Sequence, residues 1–335
     1  MIEAFCGGAL ESVAQLCHLA ARDGRRVVVL HGIRPETPEN FSQKFPSGTR
    51  FLRWNCERSL ALRADLCALR GLRKTVREEN PCLIHAHSSK AGALTRAAFP
   101  FGALPVLYSP RGYAYLQQDF SGAMRGAFRM VEFVLGQLPH KTVACGYDEG
   151  RLSVVPDRNL TVIPNALDPR PLELLAEQTQ TLPRTVVGAG RMAASKNVPL
   201  FLEIAESFRD EDIQFIWVGG PLSEGTRIPD NMTVTGFVSR EECLNIIASG
   251  ALFLQVSLWE GLPRAVLEAM AMAVPVVALS APGSTELVAD GMGGALCHSK
   301  EDIVAKIAEL LAAPESLALM GRAGQQKISR NYSSE

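Results

Sequence analysis

The chain has almost no net charge: 34 Lys+Arg stand against 35 Asp+Glu over 335 residues, a formal −1. Such a balance excludes a basic nucleic-acid coat, and no nucleic-acid partner is expected. No apolar run reaches the ~18 residues that a membrane-spanning helix requires. The longest, Ala269–Leu279, is broken by Pro275. The start, MIEAFCGG, lacks the basic residues and long apolar stretch of a signal peptide, so a cytoplasmic protein is expected. Eight cysteines are scattered with no CxxC pair, which predicts reduced, mostly buried thiols and neither a disulfide frame nor a zinc site. No GxGxxG opens either half, which argues against a nicotinamide-dependent dehydrogenase. There is no short repeat and no low-complexity tract.

What is present is a globular composition, 47% hydrophobic and 21% charged. The length exceeds one ordinary core, so two domains are expected. Their charges differ: residues 1–178 carry 22 Lys+Arg against 17 Asp+Glu, whereas residues 179–335 carry 12 against 18. A basic half and an acidic half suggest different partners.

Short Val/Ile-rich runs alternate with helix-period segments. Strands are predicted at Arg26–Leu30, Cys82–Ala86, Val106–Ser109, Thr142–Ala144 and Leu160–Ile163, then at Thr185–Ala189, Ile213–Val218, Met232–Thr235, Leu252–Val256 and Val274–Ala278. Helices are predicted at Leu10–Arg22, Ser59–Glu79, Val198–Arg209, Arg264–Met272 and Lys300–Leu311. This alternation predicts parallel sheets with helices on both faces, repeated as two Rossmann-like domains. A linker is expected within Asp168–Pro183, giving domains of 1–170 and 171–335. Ligands of open parallel sheets bind beyond the carboxyl ends of the strands, so the loops after strands carry the candidates.

The stretch SLWEGLPRAVLEAMAM, Ser257–Met272, follows one such strand. Pro263 suits a helix start. Glu260 then lies on the loop and Glu268 about 1.5 turns into the helix, where a helix N-terminus attracts an anion. A carboxylate there accepts bonds from the paired hydroxyls of a sugar, although spacing alone also fits a surface acid and a helix-face acid. The second stretch, GAGRMAASKN, follows the strand at Thr185–Ala189. Gly188 and Gly190 permit close backbone approach, Asn197 is expected to cap the next helix, and Arg191 with Lys196 suits a diphosphate. Read alone, the two cations equally fit solvated loop charges.

Glu-x7-Glu within WEGLPRAVLEAMAMAVPVVA resembles the signature of family 4 retaining glycosyltransferases of the GT-B fold, and G-R-x4-K resembles their diphosphate clamp. The resemblance runs from Gly7 to about Tyr332. It implies two Rossmann-like domains whose parallel sheets face across a cleft. The implied donor is a UDP- or GDP-linked sugar, with no cofactor and no catalytic metal. Glu268 would hold the ribose, Glu260 the donor sugar, and the amides at Gly261 and Leu262 the sugar and phosphates. Arg191 and Lys196 would stabilise the departing diphosphate. Gly219, in WVGGPL, ends a strand; backbone around Gly236, Phe237 and Val238 would hold the base. Glu286 matches the glutamate of the family's Pro-Glu-Leu-Ile region.

In the first half, Gly7 and Gly8 match a turn whose amides approach the donor phosphate. HAHSSKAG, His85–Gly92, resembles a motif of bacterial polysaccharide glycosyltransferases. His85 and His87 are expected on opposite faces of the strand, one a core or sheet histidine and the other facing the cleft, with His87 the site candidate and Lys90 available to an anionic acceptor. In YSPRGYAY, Arg111 stands where relatives carry His. Arginine cannot serve as a base at neutral pH, so a phosphate or acidic-acceptor role is expected instead. Asn165 matches an Ile-Pro-Asn-Gly turn and is read as structural. Relatives end on a helix returning to the first domain; this chain stops at NYSSE, so that helix is expected to be short or absent.

Residues 50–77 hold eight basic and two acidic residues, interleaved with Phe51, Trp54, Leu60, Leu66, Leu69 and Leu72. A second patch comprises Arg125, Phe128, Arg129 and Phe133. Cations with apolar anchors suit an anionic membrane surface, so peripheral association with the inner face is expected. The reading that follows is a retaining hexosyltransferase for cell-surface polysaccharide, passing a sugar to a glycan or polyprenyl-diphosphate-linked acceptor. Two alternatives keep the fold: a non-catalytic sugar-nucleotide-binding protein, and a sugar-nucleotide epimerase.

Overall fold

A computed structural model describes residues 7–33, 37–56, 61–102, 104–223 and 225–334. The chain divides into two compact units, Met1–Ile163 and Pro164–Glu335. The division falls at 163/164 and not at 170/171 because the intervening residues are already tied into the second unit. Asn165 donates to the Leu262 carbonyl at 3.0 Å, and Leu167 pairs with Ser333.

The first unit contains β1 (Val28–His31), β2 (Arg50–Arg53), β3 (Ile84–His87), β4 (Val106–Ser109), β5 (Lys141–Ala144) and β6 (Leu160–Val162). β1 and β2 form one parallel pair, and β3-β4-β5-β6 form a parallel sheet in sequence order. The family's usual first strand, for which this sequence has only Met1–Phe5 available, lies outside the described residues. The helix Gly7–Arg22 buries Leu10, Val13, Ala14 and Cys17, a one-face spacing, against Val29 and Phe45.

The basic stretch 50–77 is partly core, although Leu66 of the expected apolar anchors is exposed. It splits into β2 and the helix Leu62–Glu79, and Trp54 and Leu72 are buried core with Phe51 and Leu69 packed against core clusters. Arg50 pairs with Glu79 at 2.8 Å. Burial outweighs display here because each strand and helix needs an apolar face to hold it to the sheet. Leu60 lies outside the described residues.

The helix Gly122–Gly136 runs the other way. Its fully buried positions are Glu132 and Gly136, while Met130, Phe133 and Val134 are exposed. Glu132 is drawn inward by Arg96 at 2.7 Å and by the Tyr108 hydroxyl, which donates at 2.7 Å. The Arg96 guanidinium also lies over the Tyr108 ring, 4.2 Å from its centroid. Gly92 is required beneath this ring, since a Cβ there would fall 2.2 Å from Tyr108.

The second unit contains β7 (Leu182–Ala189), β8 (Gln214–Val218), β9 (Met232–Val234), β10 (Gly250–Gln255), β11 (Val276–Leu279), β12 (Ala289–Asp290) and β13 (Gly293–Cys297). All pairings are parallel, in the order β12-β13-β11-β10-β7-β8-β9. The chain leaves β7 toward β9 on one side and then returns to build from β10 on the other. The sheet therefore has a switch point between β7 and β10, the place beyond whose strand ends ligands of such sheets bind. The 18-residue helix Pro314–Asn331 closes this unit, and its Gly321 and Gly324 meet the backbone of Ala273 and Gly293.

The seven described cysteines form no disulfide. Burial raises the thiols of Cys17 and Cys243 to about 11, which keeps them protonated, whereas Cys67 and Cys82 are exposed. No described helix is long and apolar enough to cross a membrane.

Candidate active site

The loops after β7 and β10 flank the switch point, and they are joined. The Leu258 amide donates to the Ser195 carbonyl at 2.8 Å. Alongside this bond, Lys196 Nζ lies 2.6 Å from Glu260 Oε1. The same Glu260 oxygen accepts from the Ser257 hydroxyl at 2.9 Å, which in turn accepts from Gln255 Nε2 at 2.9 Å. Gln255 and Ser257 are buried, so this relay fixes one oxygen of the acid from the end of β10. The Glu260 amide donates to the Pro282 carbonyl at 3.0 Å. Gly283, at φ +86°, lets that segment approach, since a Cβ there would lie 2.8 Å from the Glu260 carbonyl oxygen.

Arg191 lies on the same loop as Lys196, exposed, and forms no side-chain bond or ion pair among the described residues. Gly190 lies beside the Lys196 side chain, whose Cδ a Cβ would meet at 2.9 Å. Asn197 does occupy the helix-cap position, but in the left-handed region at φ 51° and without a side-chain cap. Its carbonyl receives the first helical amides, from Leu200 and Phe201.

Glu268 is buried on the helix Arg264–Ala271 and sits between two guanidiniums. Arg240 Nη2 lies 2.7 Å and Arg264 Nε 3.5 Å from the same oxygen, Oε1. Oε2 accepts no bond among the described residues. Arg264 also donates to the Ala166 carbonyl at 3.2 Å. Gly261 and Leu262 are buried beside this helix start, and Pro263 holds the cap position.

Gly219 and Gly236 form an antiparallel bridge beyond β8 and β9. Gly236 is left-handed at φ +73°, Phe237 is 60% exposed and Val238 is partly buried. Glu286 is partly buried; Lys327 donates to the carbonyls of Glu286 at 3.1 Å and Leu287 at 2.6 Å, which fixes that turn to the closing helix. The triplet Asp210-Glu211-Asp212 has Asp-x-Asp spacing but lies just before the amino end of β8, away from the carboxyl-end loops.

In the first unit, Gly7 and Gly8 are exposed at the start of the helix Gly7–Arg22, Gly7 at φ +54°. His85 and His87 do not diverge. Their rings lie 4.0 Å apart, because residues two apart on a strand share a face. His85 Nε2 is 3.0 Å from the Ser109 hydroxyl. Burial, with neighbouring positive charge including Arg111 adding to it, lowers His85 to about 3 and holds His87 well below its ordinary value, so both rings are neutral at neutral pH. Arg111 adopts φ +59°, a left-handed conformation unusual for a side-chain-bearing residue. The next amide, Gly112, donates to buried Glu149 at 2.5 Å, and the other Glu149 oxygen accepts from Cys145 at 2.7 Å. The Lys90 amine is 2.7 Å from Asp65.

Sequence reasoning missed Arg240, Gln255, Ser257, Glu149 and Lys327. Arg240 was visible within TGFVSREE, but nothing in spacing ties it to an acid 28 residues later. Ser257, three residues before Glu260, was the one local signal.

Residues 183–313 match the family described as "Glycosyl transferases group 1", and residues 7–166 match "Glycosyl transferase 4-like domain". The chain is 24% identical over 269 residues to the UDP-Gal:alpha-D-GlcNAc-diphosphoundecaprenol alpha-1,3-galactosyltransferase of Escherichia coli, covering 71% of this chain and 68% of that protein. It is 36% identical over 119 residues to the alpha-D-kanosaminyltransferase of Streptomyces kanamyceticus, covering 32% of this chain and 31% of that one. Among solved structures, sucrose-phosphate synthase from Thermosynechococcus elongatus superposes with a TM-score of 0.81 at 16% identity, over 99% of this chain and 91% of that chain. Anabaena Alr3699/HepE in complex with UDP and glucose gives 0.76 at 17% identity, over 99% and 95%.

Proposed function

From the premise that the chain belongs to the family 4 glycosyltransferases of the GT-B fold, and is a hexosyltransferase, we propose a retaining reaction on a UDP- or GDP-linked sugar. The observation that carries this reading is the meeting of Lys196 and Glu260 at the switch point, 2.6 Å apart.

The acceptor hydroxyl oxygen bonds to the anomeric carbon as the bond from that carbon to the β-phosphate oxygen breaks. The hydroxyl proton passes to the leaving phosphate oxygen on the same face, which retains configuration. Negative charge grows on the diphosphate, and Arg191 and Lys196 stabilise it more in the transition state than in the ground state. They provide the neutralisation that other transferases take from a metal ion. Glu260, held by Ser257 and Lys196, accepts from the donor sugar. Glu268 offers Oε2 to the ribose hydroxyls, with Oε1 already neutralised by Arg240. The exposed Phe237 ring and the backbone beside it hold the base.

The acceptor is a glycan or polyprenyl-diphosphate-linked sugar in cell-surface polysaccharide synthesis, handled by the first unit on the cytoplasmic side of a membrane. The similarity to a galactosyltransferase whose name specifies a diphosphoundecaprenol acceptor supports this. Arg111, beside His85 and His87, meets an anionic group of the acceptor in this reading.

The test is incubation with a panel of UDP- and GDP-sugars and polyprenyl-diphosphate-linked acceptors, with the product's anomeric configuration read by NMR. Transfer with retention is the expected result. Binding without transfer to any acceptor, or epimerised donor as the product, would replace this reading with one of the two alternatives.

A further inference from the structure

Arg240 is surplus to the fold around it. It is the first residue of the helix Arg240–Ser249, where a cation opposes the positive end of the helix dipole. Glu268 does not need it for neutrality, because Arg264, four residues before that acid on its own helix, lies 3.5 Å from the same oxygen. Two guanidiniums on one carboxylate leave an excess of positive charge. The Arg240 side chain is 30% exposed, whereas the acid it holds at 2.7 Å is 5% exposed, so the pair is closed at the acid and open at the guanidinium. Only Ser239 separates Arg240 from the loop Gly236–Val238. The Ser239 hydroxyl accepts from the Glu242 amide at 3.1 Å, which fixes where the helix starts. Arg240 thus ties the acid assigned to the ribose, by a bond, to the loop assigned to the base, by two residues of chain.

We propose that Arg240 selects uracil over guanine, so that the donor is a UDP-linked sugar. This rests on the donor site proposed above. Held by the ribose acid, the guanidinium meets the base at the edge atom nearest the ribose. In uracil that atom is O2, an acceptor; in guanine it is the 2-amino nitrogen, a donor. The other two edge positions do not discriminate. N3–H with O4 in uracil, and N1–H with O6 in guanine, each set a donor beside an acceptor, and a backbone carbonyl and amide satisfy both alike. A guanidinium carries five N–H donors and no acceptor, so it bonds O2 and confronts the 2-amino group with like polarity. A polar site that leaves a group of the wrong substrate unpaired discriminates more strongly than one that differs only in shape.

The experiment is calorimetric titration of the full chain with UDP, GDP and inosine diphosphate, whose base is guanine without the 2-amino group. Wild type is expected to bind UDP at least about tenfold more tightly than GDP, with inosine diphosphate between them. 2-Thio-UDP, in which a weakly accepting sulfur replaces O2, is expected to bind about fivefold more weakly than UDP. Arg240→Ala should weaken UDP about 5- to 10-fold and leave GDP within about twofold, closing most of the gap. Arg240→Gln still donates to Glu268 and offers a carbonyl to the 2-amino group, so it should bind GDP more tightly than wild type does. Circular dichroism and melting curves like those of wild type certify the fold of each variant. The inference is overturned if wild type binds UDP and GDP within about threefold, or if GDP and inosine diphosphate bind alike. It is equally overturned if Arg240→Ala weakens UDP and GDP by the same factor, which would make Arg240 a support for Glu268 or a phosphate contact. Wild type that binds no nucleotide sinks the donor site and this inference with it, whereas equal binding of UDP and GDP sinks the inference and leaves the donor site standing.

Discussion

Lys196 and Glu260 form an ion pair of 2.6 Å between loops that leave two neighbouring strands, 64 residues apart in sequence. The cation is thereby positioned before any donor arrives. Lys196→Ala should lower kcat by roughly 10²–10³, as loss of a single charge-stabilising donor does elsewhere, while changing donor affinity far less. Steady-state kinetics beside a direct titration of nucleotide separates the two, and equal kcat values would remove Lys196 from the site.

The buried relay behind this pair gives a finer expectation. Ser257→Ala removes one bond to Glu260 and leaves the acid and the lysine in place. A hydrogen bond to a charged group is worth about 1.5–3 kcal/mol, so kcat/KM should fall by roughly 10- to 100-fold with UDP binding unchanged. An effect on UDP affinity alone would show that Ser257 does not act through Glu260.

Glu268 should behave differently. Glu268→Ala is expected to weaken UDP or GDP binding by roughly 10- to 100-fold, because the bonds lost are charge-assisted. Arg240→Ala should weaken it less, since Arg264 still reaches the same oxygen. Calorimetric titration with the free nucleotide decides this without any acceptor.

His85 and His87 make stability depend on pH. Both are lowered from 6.5 in the folded chain, His85 to about 3. Below about 6.5 the unfolded chain binds protons that the folded chain refuses, so stability falls with pH. The loss approaches about 1.4 kcal/mol per pH unit for each ring, and it is absent above pH 7. Urea unfolding between pH 7 and pH 5 should show it, and His87→Asn should remove about half of the slope.

Glu132 is the test of the buried network. Glu132→Leu strands the Arg96 charge, which is 1% exposed, and should cost about 3–5 kcal/mol. Arg96→Met combined with Glu132→Leu should recover much of that loss. A melting curve insensitive to Glu132→Leu would show that the pair does not anchor the helix.

Much of the fold was legible in the chain. Val106–Ser109 and Lys300–Leu311 fall where periodicity places them, since apolar spacing and strand propensity are local. β2 was missed because its residues, Arg-Phe-Leu-Arg, read as a basic surface. β13, with two glycines, has little strand signature. The single-face placement of His85 and His87 was available from the period of two, and it was read the wrong way round.

The sequence by itself determined the alternating elements, the two carboxylates eight residues apart and the two cations five apart, because each depends on neighbours along the chain. Only the tertiary structure decided which of them meet. The order of strands in the second sheet sets the β7 and β10 loops side by side, joins Lys196 to Glu260, and assigns Arg240 to Glu268. The same holds for surface and core: Trp54 and Leu72 go inward while Met130 and Phe133 go outward, because a buried carboxylate must follow its arginine wherever packing has put it.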